Sequence, residues 1–163
     1  MATKKIPSDD TPTAPVEVAH PADLDFSAAA LGTADAYGAK RLRLIVVDDN
    51  VDASESMGMI LSAFHEVRTA HDGEQALEIG DEFHPDAIVL DIGMPRMDGY
   101  ELAQHIRRAP WGRKIVLIAC TGWGQPDDRR RSQEAGIDHH MVKPVSAREM
   151  LQLLSIVNPP ESG

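Results

Sequence analysis

Asp48 and Asp49, Asp91, Thr121 and Lys143 are the residues of this 163-residue chain whose types and spacing suggest chemistry. Each follows an apolar run: L-R-L-I-V-V before Asp48-Asp49, A-I-V-L before Asp91, K-I-V-L-I-A-C before Thr121 and H-M-V before Lys143. If those runs are parallel strands, their carboxyl ends share one edge, where open α/β sheets bind ligands. Three carboxylates gathered there repel one another and call for a cation. Oxygen donors suit Mg2+, which keeps several waters and takes one or two carboxylates together with phosphate oxygens. Asp49 and Asp91 fit as direct ligands, with Asp48 acting through a bound water. The matching chemistry is phosphoryl transfer, in which positioning and charge neutralisation dominate. Asp91 would attack phosphorus to form an aspartyl phosphate. Lys143 would pair with one phosphoryl oxygen, the Thr121 hydroxyl would donate to another, and Gly122 would leave space for the donor. Taken alone, Asp91 ahead of G-M-P is more simply a turn-capping aspartate. Its convergence with the other strand ends is what favours chemistry.

The intervening segments supply the elements that must hold these groups. The apolar run A-I-V-L, bounded by turn residues, reads as a strand buried on both faces. After Asn50, a plausible helix cap, Met57, Ile60, Leu61 and Phe64 fall at helical spacing on one face. Glu66–Ala70 is short and polar, as suits an edge strand. Gly73 opens a second helix carrying Ala76, Leu77 and Gly80, and Asp98 caps a third carrying Leu102, Ala103 and Ile106. A polar helix from about Pro126 to Ala135 ends at Gly136, and its Arg129, Arg130 and Arg131 read as a solvated face. His140–Val142 is a short fifth strand. A last helix, from about Ser146 to Val157, buries Met150, Leu151, Leu154 and Val157. Five strands alternating with five helices predict a doubly wound α/β parallel sheet. A cis Lys143-Pro144 bond would turn the lysine towards the strand ends, although trans is the default from sequence.

Composition narrows the function classes. Asp plus Glu number 26 against 16 Lys plus Arg, a formal charge of −10, which disfavours direct nucleic-acid or anionic-membrane partners. The single cysteine, Cys120, excludes an internal disulfide framework and reads as a small core residue. No run approaches the roughly 18 apolar residues of a membrane span, and the start lacks a secretory apolar core. A cytoplasmic protein is expected. Residues 1–40 show neither helical nor strand periodicity and read as a disordered arm; 41–158 form the folded domain and 159–163 a short tail.

V-V-D-D-N, V-L-D-I-G-M-P-R-M-D-G, A-C-T-G and H-M-V-K-P, in this order, resemble the receiver domain of bacterial two-component response regulators. The resemblance covers about Arg41 to Val157. It implies a flavodoxin-like sheet in the order 2-1-3-4-5. It also implies Asp91 as phosphoacceptor, Asp48 and Asp49 as the acidic pair, Thr121 as switch hydroxyl and Lys143 as the phosphate contact. The main-chain carbonyl of Gly93 would be a further Mg2+ ligand, and Lys143-Pro144 would be cis. T-G-W-G-Q and A-G-I-D-H-H-M-V-K-P look especially like receivers attached to hybrid sensor kinases.

Three residues before the lysine, many receivers carry Tyr or Phe as a switch ring; here it is His140. Either the imidazole substitutes for that ring without a pH role, or its charge makes switching pH-sensitive near neutrality. Gly93 and Trp123 occupy positions that influence dephosphorylation in this family, and His139 is expected to be exposed.

The implied function is a single-domain response regulator phosphorylated by a sensor histidine kinase or histidine phosphotransfer protein. The phosphorylated form would present a changed face to an unknown downstream protein. A phosphate sink or relay intermediate is the alternative within this class. An Mg2+-dependent aspartyl phosphatase is the alternative outside it, disfavoured because Gly93 stands where such enzymes place a second acid. No turnover enzyme is expected, and fewer than ten residues follow Val157, too few for a DNA-binding helix-turn-helix.

Overall fold

A computed structural model describes residues 40–122 and 126–157, with the side chains of 126–129 excluded. The arm up to residue 39, Trp123 and the tail lie outside the described residues. The strands are β1 Arg43–Val47, β2 Glu66–Ala70, β3 Ala87–Asp91, β4 Val116–Thr121 and β5 His139–Val142. The helices are α1 Val51–Leu61, α2 Gly73–Phe83, α3 Gly99–Arg108, α4 Pro126–Ala135 and α5 Ala147–Ser155. All strand pairs are parallel, in the order β2-β1-β3-β4-β5. This is the expected five-stranded flavodoxin-like architecture.

Alternation along the strands builds two cores. Ile45, Val47, Ile88, Leu90, Leu117 and Ala119 point to the face covered by α2 and α3, where Ala76, Phe83, Leu102 and Ile106 meet them. Leu44, Val46, Val89, Ile118 and Cys120 point to the opposite face, against Leu61 of α1 and Met150, Leu151 and Leu154 of α5. Both faces of the central strands are therefore dry, which is why β3 reads as an unbroken apolar run.

Helix starts are set by short polar side chains. Asn50, Asp72, Asp98 and Ser146 each accept a hydrogen bond from the backbone N–H three residues on, at 2.7–3.1 Å. The α1 helix stops earlier than its apolar spacing suggests. The N–H groups of Ala63 and Phe64 bond only three residues back, to the carbonyls of Ile60 and Leu61, so the last turn tightens and Phe64 lies beyond the helix yet remains buried. The expected Gly136 stop adopts φ +86°, the left-handed conformation that favours glycine. Gly80 is required by tertiary contact, because a Cβ there would collide with the Trp111 ring.

Arg107 ties three segments together. Its Nε and Nη2 donate to the Gly136 carbonyl, Nη1 donates to the carbonyls of Gly112 and Ile115, and Nη2 pairs with Asp138 at 2.8 Å. Charge-assisted bonds of this kind are about twice as strong as neutral ones, so the end of α4 is anchored to α3 and to the entry of β4.

His65, 2% exposed, accepts a hydrogen bond at Nδ1 from the Leu42 N–H at 3.1 Å. Its proton therefore resides on Nε2, which has no hydrogen-bond partner among the described residues. Burial, with Arg41 repulsion adding to it, pushes the imidazole below its usual range. A depressed histidine pKa means that folding favours the neutral ring. Its contribution is complete above about pH 6.5 and is lost as pH falls towards the lowered value, by about 1.4 kcal/mol per unit of depression. Denaturant unfolding between about pH 8 and pH 5 should show wild type losing more stability than His65→Gln, whose amide has no proton to gain; parallel profiles would contradict this.

Candidate functional site

Parallel pairing brings the strand ends to one edge, as the residue types demand. Val47 is level with Ala70 and Leu90, Asp91 with Cys120, and Thr121 with Val142. Asp48, Asp91, Thr121 and Lys143 thus emerge side by side. The Lys143 N–H donates to the Thr121 carbonyl at 2.7 Å, fixing the start of the lysine segment against the end of β4. The Lys143-Pro144 bond is cis, as the resemblance implies.

Carboxylate oxygens of Asp48, Asp49 and Asp91 all lie within 4.8 Å of one another. Asp91 is 8% exposed, and its Oδ1 accepts from Lys143 Nζ at 3.0 Å and from the Gly93 N–H at 3.2 Å. The turn-capping role considered from sequence and the charged contact therefore coexist on one oxygen. Lys143 Nζ also lies 3.5 Å from Asp48 Oδ2, while Asp48 Oδ1 accepts from the Asn50 N–H at 2.9 Å. This last bond makes Asn50 both an α1 cap and an orienter of the acidic pair, a role not evident from its capping signature. Asp49 is exposed.

The electrostatics follow from crowding. Burial pushes the Asp48 carboxyl above its usual range, Asp91 and Asp49 repulsion adds to it, and the Asn50 N–H and Lys143 only partly oppose the rise. Burial alone would lower Lys143, but its hydrogen bond and attraction to Asp91, joined by Asp48, hold the ammonium above its ordinary range. The cluster thus favours any added positive charge, either a proton on Asp48 or a metal ion. Three oxygen donors of this spacing, open to solvent at Asp49, fit a hard divalent cation that retains waters.

Space around the cluster is arranged for an incoming group. A Cβ at Gly93 or Gly122 would meet nothing within 4 Å among the described residues. Below the carboxylates, a cavity of about 760 Å³ runs between α1 and α5 and is lined by Met57, Val89, Cys120 and Met150 among others. The Cys120 thiol faces this apolar floor, and burial pushes its pKa up to about 12, so it is a packing residue and not a competing nucleophile. Thr121 is buried beside Asp91's strand.

His140 is half-buried on β5, with Nδ1 3.4 Å from Ser132 Oγ of α4. His139 is also half-buried, not exposed as expected; it sits on the edge strand level with Ile118 of β4. Arg131 is exposed, as the solvated face read from sequence implies, and it also has specific partners. Its guanidinium carbon lies 4.2 Å from the centroid of the Tyr100 ring and its Nη2 3.8 Å from Asp98.

Comparisons with known proteins bear on this arrangement. A family model described as the response regulator receiver domain matches residues 44–155. The transcriptional regulatory protein PrrA of Mycobacterium leprae is 40% identical over 116 residues, covering 70% of this chain and 48% of PrrA. The gliding motility regulatory protein of Myxococcus xanthus is 37% identical over 109 residues, 66% of this chain and 14% of that protein. The chain spans less than half the length of most of the curated relatives it matches.

Among solved structures, the chemotaxis protein CheY4 of Vibrio cholerae superposes with TM-score 0.69 at 25% identity, covering 73% of this chain and all of that one. A putative response regulator of Chloroflexus aurantiacus gives TM-score 0.66 at 29% identity, covering 72% and 98%. Among the described residues no helix is long and apolar enough to cross a membrane. With its parallel sheet, its acidic cluster and the family match over residues 44–155, the chain belongs to the response regulator receiver domains of two-component signalling.

Proposed function

We propose that Asp91 accepts a phosphoryl group from a sensor histidine kinase or histidine phosphotransfer protein, and that the resulting aspartyl phosphate changes what the domain binds. The observation that carries this reading is the placement of a buried carboxylate between a lysine ammonium at 3.0 Å and two further carboxylates. An Asp91 oxygen attacks phosphorus in line, and the phosphorus–nitrogen bond of the donor histidine breaks, its electron pair staying on the imidazole. Lys143 neutralises a phosphoryl oxygen as charge builds on it, and Thr121 donates its hydroxyl to another.

Asp48, Asp49, Asp91 and the Gly93 carbonyl are the groups that would hold Mg2+. When bound, the ion supplies the positive charge that lets an anionic donor approach three carboxylates. Asn50 keeps Asp48 turned into the cluster through its N–H. The open space at Gly93 and Gly122 admits the donor. Gly93 also offers no acid to protonate a leaving group, which favours a switch over a phosphatase. His140 occupies the ring position beside α4 that would follow Thr121 when it moves.

Intact-mass spectrometry of the full chain with acetyl phosphate tests the metal requirement. A single phosphoryl adduct is expected with Mg2+, falling by more than about tenfold when the ion is chelated, since several kcal/mol of charge stabilisation is then lost. Equal adduct yields with and without Mg2+ would overturn the role of the acidic cluster.

A further inference from the structure

We infer that Arg131 is a positioning residue that restrains α4 in the unphosphorylated domain by clasping the start of α3. The inference rests on the phosphoacceptor reading of Asp91. Lys143 Nζ is bound to Asp91 and Asp48; a phosphoryl group on Asp91 would draw that ammonium to its own oxygens, so these are the contacts an unmodified Asp91 allows.

Two attachments of α4 differ in kind. At its end, the Gly136 carbonyl receives two guanidinium bonds from Arg107, at 2.9 and 2.7 Å. That attachment is part-buried and charge-assisted, and it serves as a fixed pivot. Nearer the middle of the helix, Arg131 is half-exposed; it stacks on the Tyr100 ring at 4.2 Å and approaches Asp98 at 3.8 Å. Cation–π and surface ion-pair contacts of this type are weak and reversible. They can hold a helix without preventing its movement.

The other side of the clasp leads directly to the phosphoacceptor. Tyr100 is 4% exposed in the first turn of α3 and Asp98 caps that helix through the Glu101 N–H. Between them, Gly99 donates its N–H to the Ile92 carbonyl, and a Cβ on it would lie 2.7 Å from the Asp91 carbonyl oxygen. Arg131 thus joins α4, which follows the strand ending in Thr121, to the backbone immediately after Asp91. A shift of α4 that accompanies Thr121 must slide the guanidinium off the ring. The clasp therefore favours the resting form and opposes switching.

Beryllofluoride, a phosphoryl mimic, provides the test when titrated with Mg2+ into the full chain. Arg131→Ala should bind it about three- to fivefold more tightly than wild type, because the clasp no longer has to be broken. Arg131→Lys, which keeps the charge but not the planar stack, should fall between the two. In a Tyr100→Leu background the Arg131→Ala effect should shrink, since the ring half of the clasp is already gone and only the approach to Asp98 remains. A lower unfolding midpoint with unchanged or weaker beryllofluoride binding would overturn the inference and leave Arg131 a structural residue. Additive effects of the two substitutions would overturn it too. Failure of the wild type to bind beryllofluoride at all is a different result, which removes the phosphoacceptor reading and this inference with it.

Discussion

Asp91→Asn should lose phosphoryl incorporation from acetyl phosphate by more than about a thousandfold while remaining folded. The amide keeps the shape of the carboxylate, and its oxygen can still accept from Lys143 Nζ and the Gly93 N–H, the two partners of the native Oδ1. What it lacks is the anionic oxygen that attacks phosphorus. Removing one of three crowded negative charges also relieves repulsion, which offsets the weakened contact to Lys143. The net change in unfolding free energy should stay within about 1 kcal/mol. Mg2+ should bind more weakly, because one anionic ligand is gone. Intact mass and denaturant unfolding on the same preparation check both halves. An adduct of wild-type size on a folded variant would move the phosphoacceptor elsewhere.

Lys143→Met should give changes of opposite sign in two measurements. Transfer to Asp91 should slow about a hundredfold, the cost of removing one preorganised charge partner from a developing phosphoryl anion. Mg2+ affinity should rise, because the ammonium that competes for Asp91 and Asp48 has been taken away. Methionine occupies a similar length of chain, so the loss is chiefly of charge.

Without metal, the variant should be least stable near neutral pH. The Asp48 carboxyl already sits above its usual range, and Lys143 is one of the groups opposing that rise. A carboxyl raised in the folded state contributes its full stability below its unfolded value, about 3.8, and loses it as pH climbs through the raised value. Removing the lysine deepens that loss, by no more than about 1 kcal/mol for so open a pair. Calorimetric Mg2+ titration and phosphorylation kinetics test the two signs. A slower transfer accompanied by weaker Mg2+ binding would place Lys143 among the groups that build the metal site and not among those that contact phosphate.

Much of this site was legible in the chain because its residues end strands. A run such as A-I-V-L forces burial on both faces, and parallel pairing then delivers Asp48, Asp91, Thr121 and Lys143 to the same edge. Neither step needs tertiary detail. Helix caps were legible for the same local reason: Asn50 and Asp98 bond to N–H groups three residues away. Phe64 has the right spacing for α1, but the helix ends before it, as the chain tightens into three-residue bonds at Ala63 and Phe64. The rest of what escaped was set by packing between distant elements. Arg131 lies in a run of arginines that resembles any solvated face, and its distinguishing partner, Tyr100, is on another helix. His65 carries no motif at all; its buried ring becomes visible only when β1 is laid beside the end of α1. The limit on Gly99 escaped for the same reason: a Cβ there would lie 2.7 Å from the Asp91 carbonyl oxygen.

The decisive fact is the atom to which phosphorus becomes attached. Borohydride reduction after treatment with acetyl phosphate and Mg2+ converts an aspartyl phosphate to homoserine with loss of phosphate, and peptide mapping locates that residue. Homoserine is expected at position 91 alone. Homoserine at position 48 or 49, or a phosphoryl group that survives on a histidine, would contradict it.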